Sequence, residues 1–214
     1  LVAGVPLTLA LSAPEGSSII HSLTSVLNWK LKQNSGSDSS AVEDEMLGFF
    51  GIGADYRLLT QNPIARYRAT YSVNNARALV AQFGMETVAQ ALSAYISSAG
   101  GSIPSGAIFE GLASGLSGAF NWNSATDWEA LVQSVESSTG EDISDAHVAF
   151  IAGTLAELSA QAQATLVDAA PASSNARLEA LSDLAQLRAY VNRDLAQDVK
   201  DLASGADDGT NWVA

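Results

Sequence analysis

Cysteine is absent from the 214-residue chain, and basic residues are scarce. The lack of cysteine excludes disulfide bonds, a thiolate nucleophile and a cysteine-based zinc site. Ten Lys and Arg stand against 23 Asp and Glu, which gives a formal net charge of −13. A surface this negative repels phosphate backbones and anionic lipid, so we expect no nucleic-acid partner.

Long apolar runs are also missing, so we expect no membrane-spanning helix. Hydrophobic residues nevertheless make up 47% of the chain and charged residues only 15%. This composition is typical of a globular protein and excludes an extended disordered tail. The length fits one large domain or two small ones, and we predict a single mainly helical domain over 1–214, with 100–104 as the candidate boundary if it divides.

Motifs of known catalysis are absent as well. The sequence has no Gly-x-Ser-x-Gly nucleophile elbow and no phosphate-binding loop. Its two histidines, His21 and His147, fall on different predicted helices. Asp194, Asp198 and Asp201 align on one side of the last predicted helix, but no calcium-binding loop accompanies them, which favours a solvated face. We therefore predict no catalytic residues, no metal site and no cofactor.

Apolar residues recur at helical spacing over most of the chain. One amphipathic helix is predicted from Ile19 to Leu31, and a Ser40–Glu43 capping box opens a second after a polar loop. From Ala76 onward the pattern is helical almost to the end, with glycines and Pro171 marking the breaks. The predicted helices are Ala76–Phe83, Glu86–Ser98, Ser105–Phe120, Asp127–Ser137, Asp145–Ala170 and Asn175–Ala203.

The last two of these helices carry the longest apolar stripes, and a four-residue joint, Pro171–Ser174, connects them. So short a joint favours antiparallel neighbours. The predicted fold class is therefore mainly α, a helical bundle with a long C-terminal antiparallel helical hairpin.

Two segments alternate between apolar and polar residues with a period of two. Val5–Ser12 reads as a strand, which Pro6 confines to an edge or a strand start. The second segment, Arg66–Val73, leaves two alternatives open. It could pair with the first in a short two-stranded β element near the N-terminus, or continue a helix that Asn62 caps and Pro63 begins.

Small residues recur every fourth position in the predicted helix Ser105–Phe120. Such spacing stacks them on one face, where another backbone can approach closely. One interpretation is a self-association or membrane-inserting face, and the other is close packing inside the same domain. The residues of this candidate close-packing or assembly face are Ala107, Gly111, Gly115 and Ala119.

A cationic segment interrupts the acidic sequence, because no acid lies between Asp55 and Glu86. Guanidinium groups interleaved with tyrosines could hold a carboxylate, a phosphate or an acidic partner surface. The alternative is pairing with the acidic helices of this same chain. The candidate anion-binding residues are Arg66, Tyr67, Arg68 and Arg77.

The leading functional hypothesis is a non-catalytic structural or assembly protein, self-associating or part of a larger particle or surface layer. A lone strand such as Val5–Ser12 must find a partner edge, which a neighbouring subunit can supply. The alternative is a helical module that binds an apolar or anionic small ligand. The nearly apolar segment from Leu1 to Ala13 and the polar-then-apolar C-terminus favour an extracellular or cell-surface location.

Overall fold

The structure is a computed structural model that describes residues 10–101 and 106–205. Within these ranges the chain is mainly helical, as predicted, and contains no β-strand. Two π-helical turns, Ala164–Asp168 and Val191–Leu195, extend or join the last helices. The helices are α1 (Ser22–Gln33), α2 (Ser39–Phe49), α3 (Pro63–Ala69), α4 (Val73–Ser98), α5 (Ala107–Gly115), α6 (Ala125–Thr139), α7 (Asp145–Gln163), α8 (Ser174–Tyr190) and α9 (Ala196–Ser204).

The second alternating segment is not a strand: residues 66–69 belong to α3, Val73 begins α4, and the short link between them has extended backbone at Thr70 and Ser72. The Asn62 side chain caps α3 by accepting a hydrogen bond from Ala65 N at 3.0 Å, and Pro63 occupies the first turn. Because proline has a suitable fixed φ and no N–H to leave unpaired, this start favours a helix over a strand. Ser72 then caps α4 in the same way.

The first predicted strand, Val5–Ser12, lies mostly outside the described residues. Its described end, residues 10–12, is not extended into a strand. Ser12 instead binds side chains of α1: its N–H donates to Ser25 Oγ at 2.9 Å, and Asn28 Nδ2 donates to Ser12 Oγ at 2.9 Å. No two-stranded element is therefore present among residues 10–101 and 106–205.

Helix α4 lies at the centre of the fold and is buried on nearly all sides. A helix that is apolar all round needs neighbours all round, and α4 contacts α1, α3, α5, α7 and α9. The predicted break at Gly84 is wrong, because α4 continues through it. A Cβ at Gly84 would lie 2.6 Å from Cζ3 of Trp122, so this glycine makes room for the indole ring.

Helix α5 ends earlier than the predicted Ser105–Phe120 helix. It stops at Gly115, and the Leu116 backbone is extended. The chain then crosses to the end of α2, where Phe120 N donates to Phe49 O at 3.1 Å. The predicted helix is thus a shorter helix followed by a loop, in which Phe120 packs on Phe49 and Trp122 on Phe50.

The remaining helices surround α4 in two groups. Helices α5 and α6 pack closely, α6 also packs on α7, and α1 packs on α5. At the C-terminal end, α8 contacts α3 and the π-helical turn after α7, while α9 packs on α4. The buried apolar side chains form one cluster that runs from Leu23 in α1 to Val199 in α9.

Candidate functional site

The structure separates the predicted anion-binding residues. Arg66 and Arg68 are both exposed on α3, and residues two apart on a helix point to different sides. Tyr67 between them is fully buried. Arg77 lies on α4 and donates from Nη1 to Gly51 O at 2.6 Å. The four residues therefore do not converge on one anion.

Two tyrosines of the cationic segment fix the π-helical turn that follows α7. The Tyr71 hydroxyl donates to Val167 O at 2.9 Å, and the Tyr67 hydroxyl lies 3.5 Å from Leu166 O. Burial raises the pKa of Tyr67 to about 12, so its hydroxyl keeps its proton at neutral pH. These tyrosines connect α3 and the start of α4 to the end of α7.

Two further arginines, Arg57 and Arg177, bind oxygen atoms of the same chain. Arg57 forms an ion pair with Asp44 at 3.3 Å. Arg177 is 8% exposed and donates to the carbonyls of Arg68, Ala69 and Ala172. Arg177 thus ties α8 to the C-terminal end of α3, a role that its position in the sequence did not reveal.

The small-residue face packs against α6 in the same chain. A Cβ at Gly111 would lie 2.5 Å from Val135 Cα, and one at Gly115 would lie 2.8 Å from a Leu131 methyl carbon. Ala107 is buried on the same helix. Ala119 follows the end of α5, so it does not extend this face.

A pocket of about 290 Å³ opens beside Arg77. Four separate parts of the chain build it: the end of α2, the first half of α4, the loop between α5 and α6, and the end of α7 with its π-helical turn. Its principal lining residues are Phe49, Phe50, Arg77, Phe120, Trp122 and Asp168.

Aromatic rings form the apolar wall of this pocket and continue into the core. The Phe120 ring lies 5.2 Å from Phe49, 4.9 Å from Trp122 and 4.9 Å from Trp128, measured between ring centroids. The two contacts with tryptophan are edge-to-face, which is favourable because a positive ring edge meets a negative ring face. Trp128 Nε1 donates to Trp122 O at 2.9 Å and so holds the loop in place.

Arg77 supplies the positive charge of the pocket, and the backbone of Gly51 orients it. Gly51 has a φ of +64°, a left-handed conformation that glycine adopts without strain. The turn directs the Gly51 carbonyl at one guanidinium nitrogen. A guanidinium has five N–H donors, so the remaining donors can bind a second acceptor.

Sequence reasoning identified Arg77 but not the aromatic wall. In the structure Trp122 is 7% exposed, packs on Gly84 and lines the pocket. Phe49 and Phe120 carried no comparable signal because their meeting depends on the loop after α5.

Neither histidine lines this pocket. His21 caps α1, where Nδ1 accepts from Thr24 N at 3.3 Å, and burial lowers its pKa to about 4. The Tyr95 hydroxyl and His147 Nδ1 are 2.7 Å apart. Burial, together with the negative charges of Asp142 and Glu136, raises the pKa of Tyr95.

Among the described residues, no group of three or more His, Asp or Glu is arranged to hold a metal ion. In the same part of the chain, no helix combines the length and apolar character that crossing a membrane requires. Comparison of the sequence and the fold with protein-family models, curated proteins and solved structures finds no match.

Proposed function

We propose that the chain is a non-catalytic helical protein that binds a small apolar carboxylic acid in the pocket beside Arg77. The observation that carries this proposal is the convergence of an aromatic wall and one arginine on the same pocket. Pockets for small molecules commonly combine an apolar lining with a few polar groups that fix orientation.

The size of the pocket limits the ligand. A volume of about 290 Å³ lies just below the range of about 300–1,000 Å³ that is common for ligand sites. Phe49, Phe120 and Trp122 give the lining an apolar part, which suits a planar or short aliphatic group. The proposed ligand is accordingly a single small unit rather than a polymer.

The charge of Arg77 favours an anionic end on that ligand. No acidic side chain among the described residues forms an ion pair with Arg77, although the protein has 23 Asp and Glu. A guanidinium matches the two oxygens of a carboxylate with parallel hydrogen bonds. Arg77 is thus the group of the pocket best suited to a carboxylate.

Calorimetric titration with 3-phenylpropionate tests the proposal, with 3-phenylpropanamide as the uncharged comparison. We expect the acid to bind and the amide to bind at least about tenfold more weakly, since a hydrogen bond to a charged group contributes about 1.5–3 kcal/mol. Arg77→Met should remove this preference. The matched control is Arg68→Met, because Arg68 is exposed on α3 and lines no part of this pocket.

Equal affinity for the acid and the amide, or an equal loss in the two methionine variants, would contradict the role of Arg77. Arg77→Lys provides a second test in case the methionine variant does not fold. Lysine keeps the positive charge but lacks the planar guanidinium, so its affinity for 3-phenylpropionate should lie between those of the unmodified protein and Arg77→Met.

Self-association stays a second candidate, favoured by the exposure of large apolar side chains such as Ile20, which is 64% exposed, and Leu178, which is 47% exposed. Burying such side chains against a second copy is favourable. Concentration-dependent light scattering that weakens on deletion of residues 1–13 would support it. A monomer at all concentrations, with and without the segment, would contradict it.

A further inference from the structure

Two groups of opposite charge face the pocket without pairing. Arg77 enters from α4 and Asp168 from the π-helical turn after α7. Within the described part of the chain, neither side chain takes part in an ion pair. Two unpaired, opposite charges around one pocket are complementary to a ligand that carries both charges.

The position of Asp168 at a helix end adds to its preference for a cation. It is the last residue of the π-helical turn that continues α7, where backbone carbonyls point outward. The negative end of the helix dipole therefore lies beside the carboxylate, and both attract a positive group.

The π-helical turn is also held in a fixed place. The Tyr71 hydroxyl donates to Val167 O, and Ala169 N donates to Ala164 O at 3.0 Å. Asp168 lies between these two anchored positions. A side chain on an anchored backbone loses less freedom when it binds a ligand than one on a mobile loop.

We propose that the ligand is a zwitterion, a single amino-acid-like molecule with an apolar side chain. This inference rests on the proposed function and makes it specific. The carboxylate binds Arg77, the ammonium group binds Asp168, and the side chain packs on Phe49, Phe120 and Trp122.

Three probes that share a phenyl group test the contribution of each charge. 3-Phenylpropionate has only a carboxylate, 2-phenylethylamine has only an ammonium group, and L-phenylalanine has both. In calorimetric titrations we expect L-phenylalanine to bind at least about tenfold more tightly than either single-charge probe, because each charged hydrogen bond contributes a factor of that order.

In the Asp168→Asn variant, L-phenylalanine should bind no more tightly than 3-phenylpropionate does. The affinity of 3-phenylpropionate should not fall, because this probe has no ammonium group to lose its partner. The matched control is Asp183→Asn, since Asp183 is an exposed carboxylate of α8 outside the pocket. It should keep the full preference for L-phenylalanine.

The outcomes distinguish this inference from the proposed function. Equal binding of L-phenylalanine and 3-phenylpropionate to the unmodified protein would overturn the zwitterion and leave the carboxylate site standing. An unchanged preference in Asp168→Asn would overturn the role of Asp168. Failure of both carboxylate-bearing probes to bind would overturn the proposed function and the inference with it.

Discussion

Gly111 and Gly153 both lie inside helices, but in opposite surroundings. A Cβ at Gly111 would meet the backbone of α6, whereas a Cβ at Gly153 of α7 would have no atom within 4 Å. Backbone cannot move aside as a flexible side chain can. The first glycine therefore sets the distance between two helices, and the second only weakens the helix that contains it.

Gly111→Ala should lower the free energy of unfolding by about 2 kcal/mol, because overpacking a close contact forces backbone shifts. Gly153→Ala should raise it by up to about 1 kcal/mol through better helix propensity. Urea denaturation followed by circular dichroism measures both. Equal effects of the two changes would contradict the close packing of α5 on α6.

His21 is a buried neutral base, and its titration links stability to pH. Burial lowers its pKa from 6.5 to about 4, and the Leu58 backbone offsets part of that effect. Above pH 6.5 both the folded and unfolded states are neutral here. Between pH 6.5 and about 4 the unfolded state binds a proton that the folded state does not, so stability falls as the pH falls.

Between pH 7 and pH 5 this difference should lower the free energy of unfolding by about 2 kcal/mol. His21→Asn removes the titration and keeps a side chain that caps helices well. Between pH 7 and pH 5, the free energy of unfolding should therefore fall by about 2 kcal/mol less in the variant than in the unmodified protein. Parallel pH profiles of the two proteins would show that His21 is not held neutral.

At the scale of elements, the π-helical turn Ala164–Asp168 connects the helical core to the pocket. Such turns are rare and are often found at functional sites. Here the turn contributes Val167 and Asp168 to the pocket, and Tyr71, in the link between α3 and α4, donates a hydrogen bond to it. Tyr71 therefore binds a residue that lines the pocket, Val167.

Tyr71→Phe should lower the free energy of unfolding by about 1 kcal/mol, the usual contribution of a neutral hydrogen bond. Tyr67→Phe is the comparison, because its hydroxyl is 3.5 Å from Leu166 O, a distance at which a hydrogen bond is weak. Urea denaturation should show the larger loss in Tyr71→Phe. The reverse order would contradict the anchoring role of Tyr71.

Local sequence signals coincide with helix ends where caps act locally, although for α3 the sequence left a strand open as the alternative. Asn62 with Pro63 begins α3, and Gly140 ends α6 in a left-handed conformation. They failed where tertiary contacts decide. Gly84 lies inside α4, where its missing side chain makes room for the Trp122 indole ring, and α5 ends at Gly115, after which the loop bonds to the end of α2 through Phe120 N.

At the scale of the whole molecule, the pocket joins segments that are far apart in the chain. Phe49, Arg77, Phe120 and Asp168 meet only after α2, α4 and α7 have packed. Periodicity and spacing predict which residues are neighbours along one helix, but not which residues from different helices come into contact. This is why Arg77 was the one predicted anion-binding residue that lines the pocket, and why it was grouped with arginines that lie elsewhere.

The central claim is that this pocket is a ligand site, and a nuclear magnetic resonance titration with 3-phenylpropionate tests it most directly. In ¹⁵N-labelled protein, we predict that the backbone amide shifts concentrate at Gly48, Gly51, Asn121 and Val167, which line the pocket, and saturate together. Shifts centred on α3, or scattered over the surface without saturation, would contradict the account.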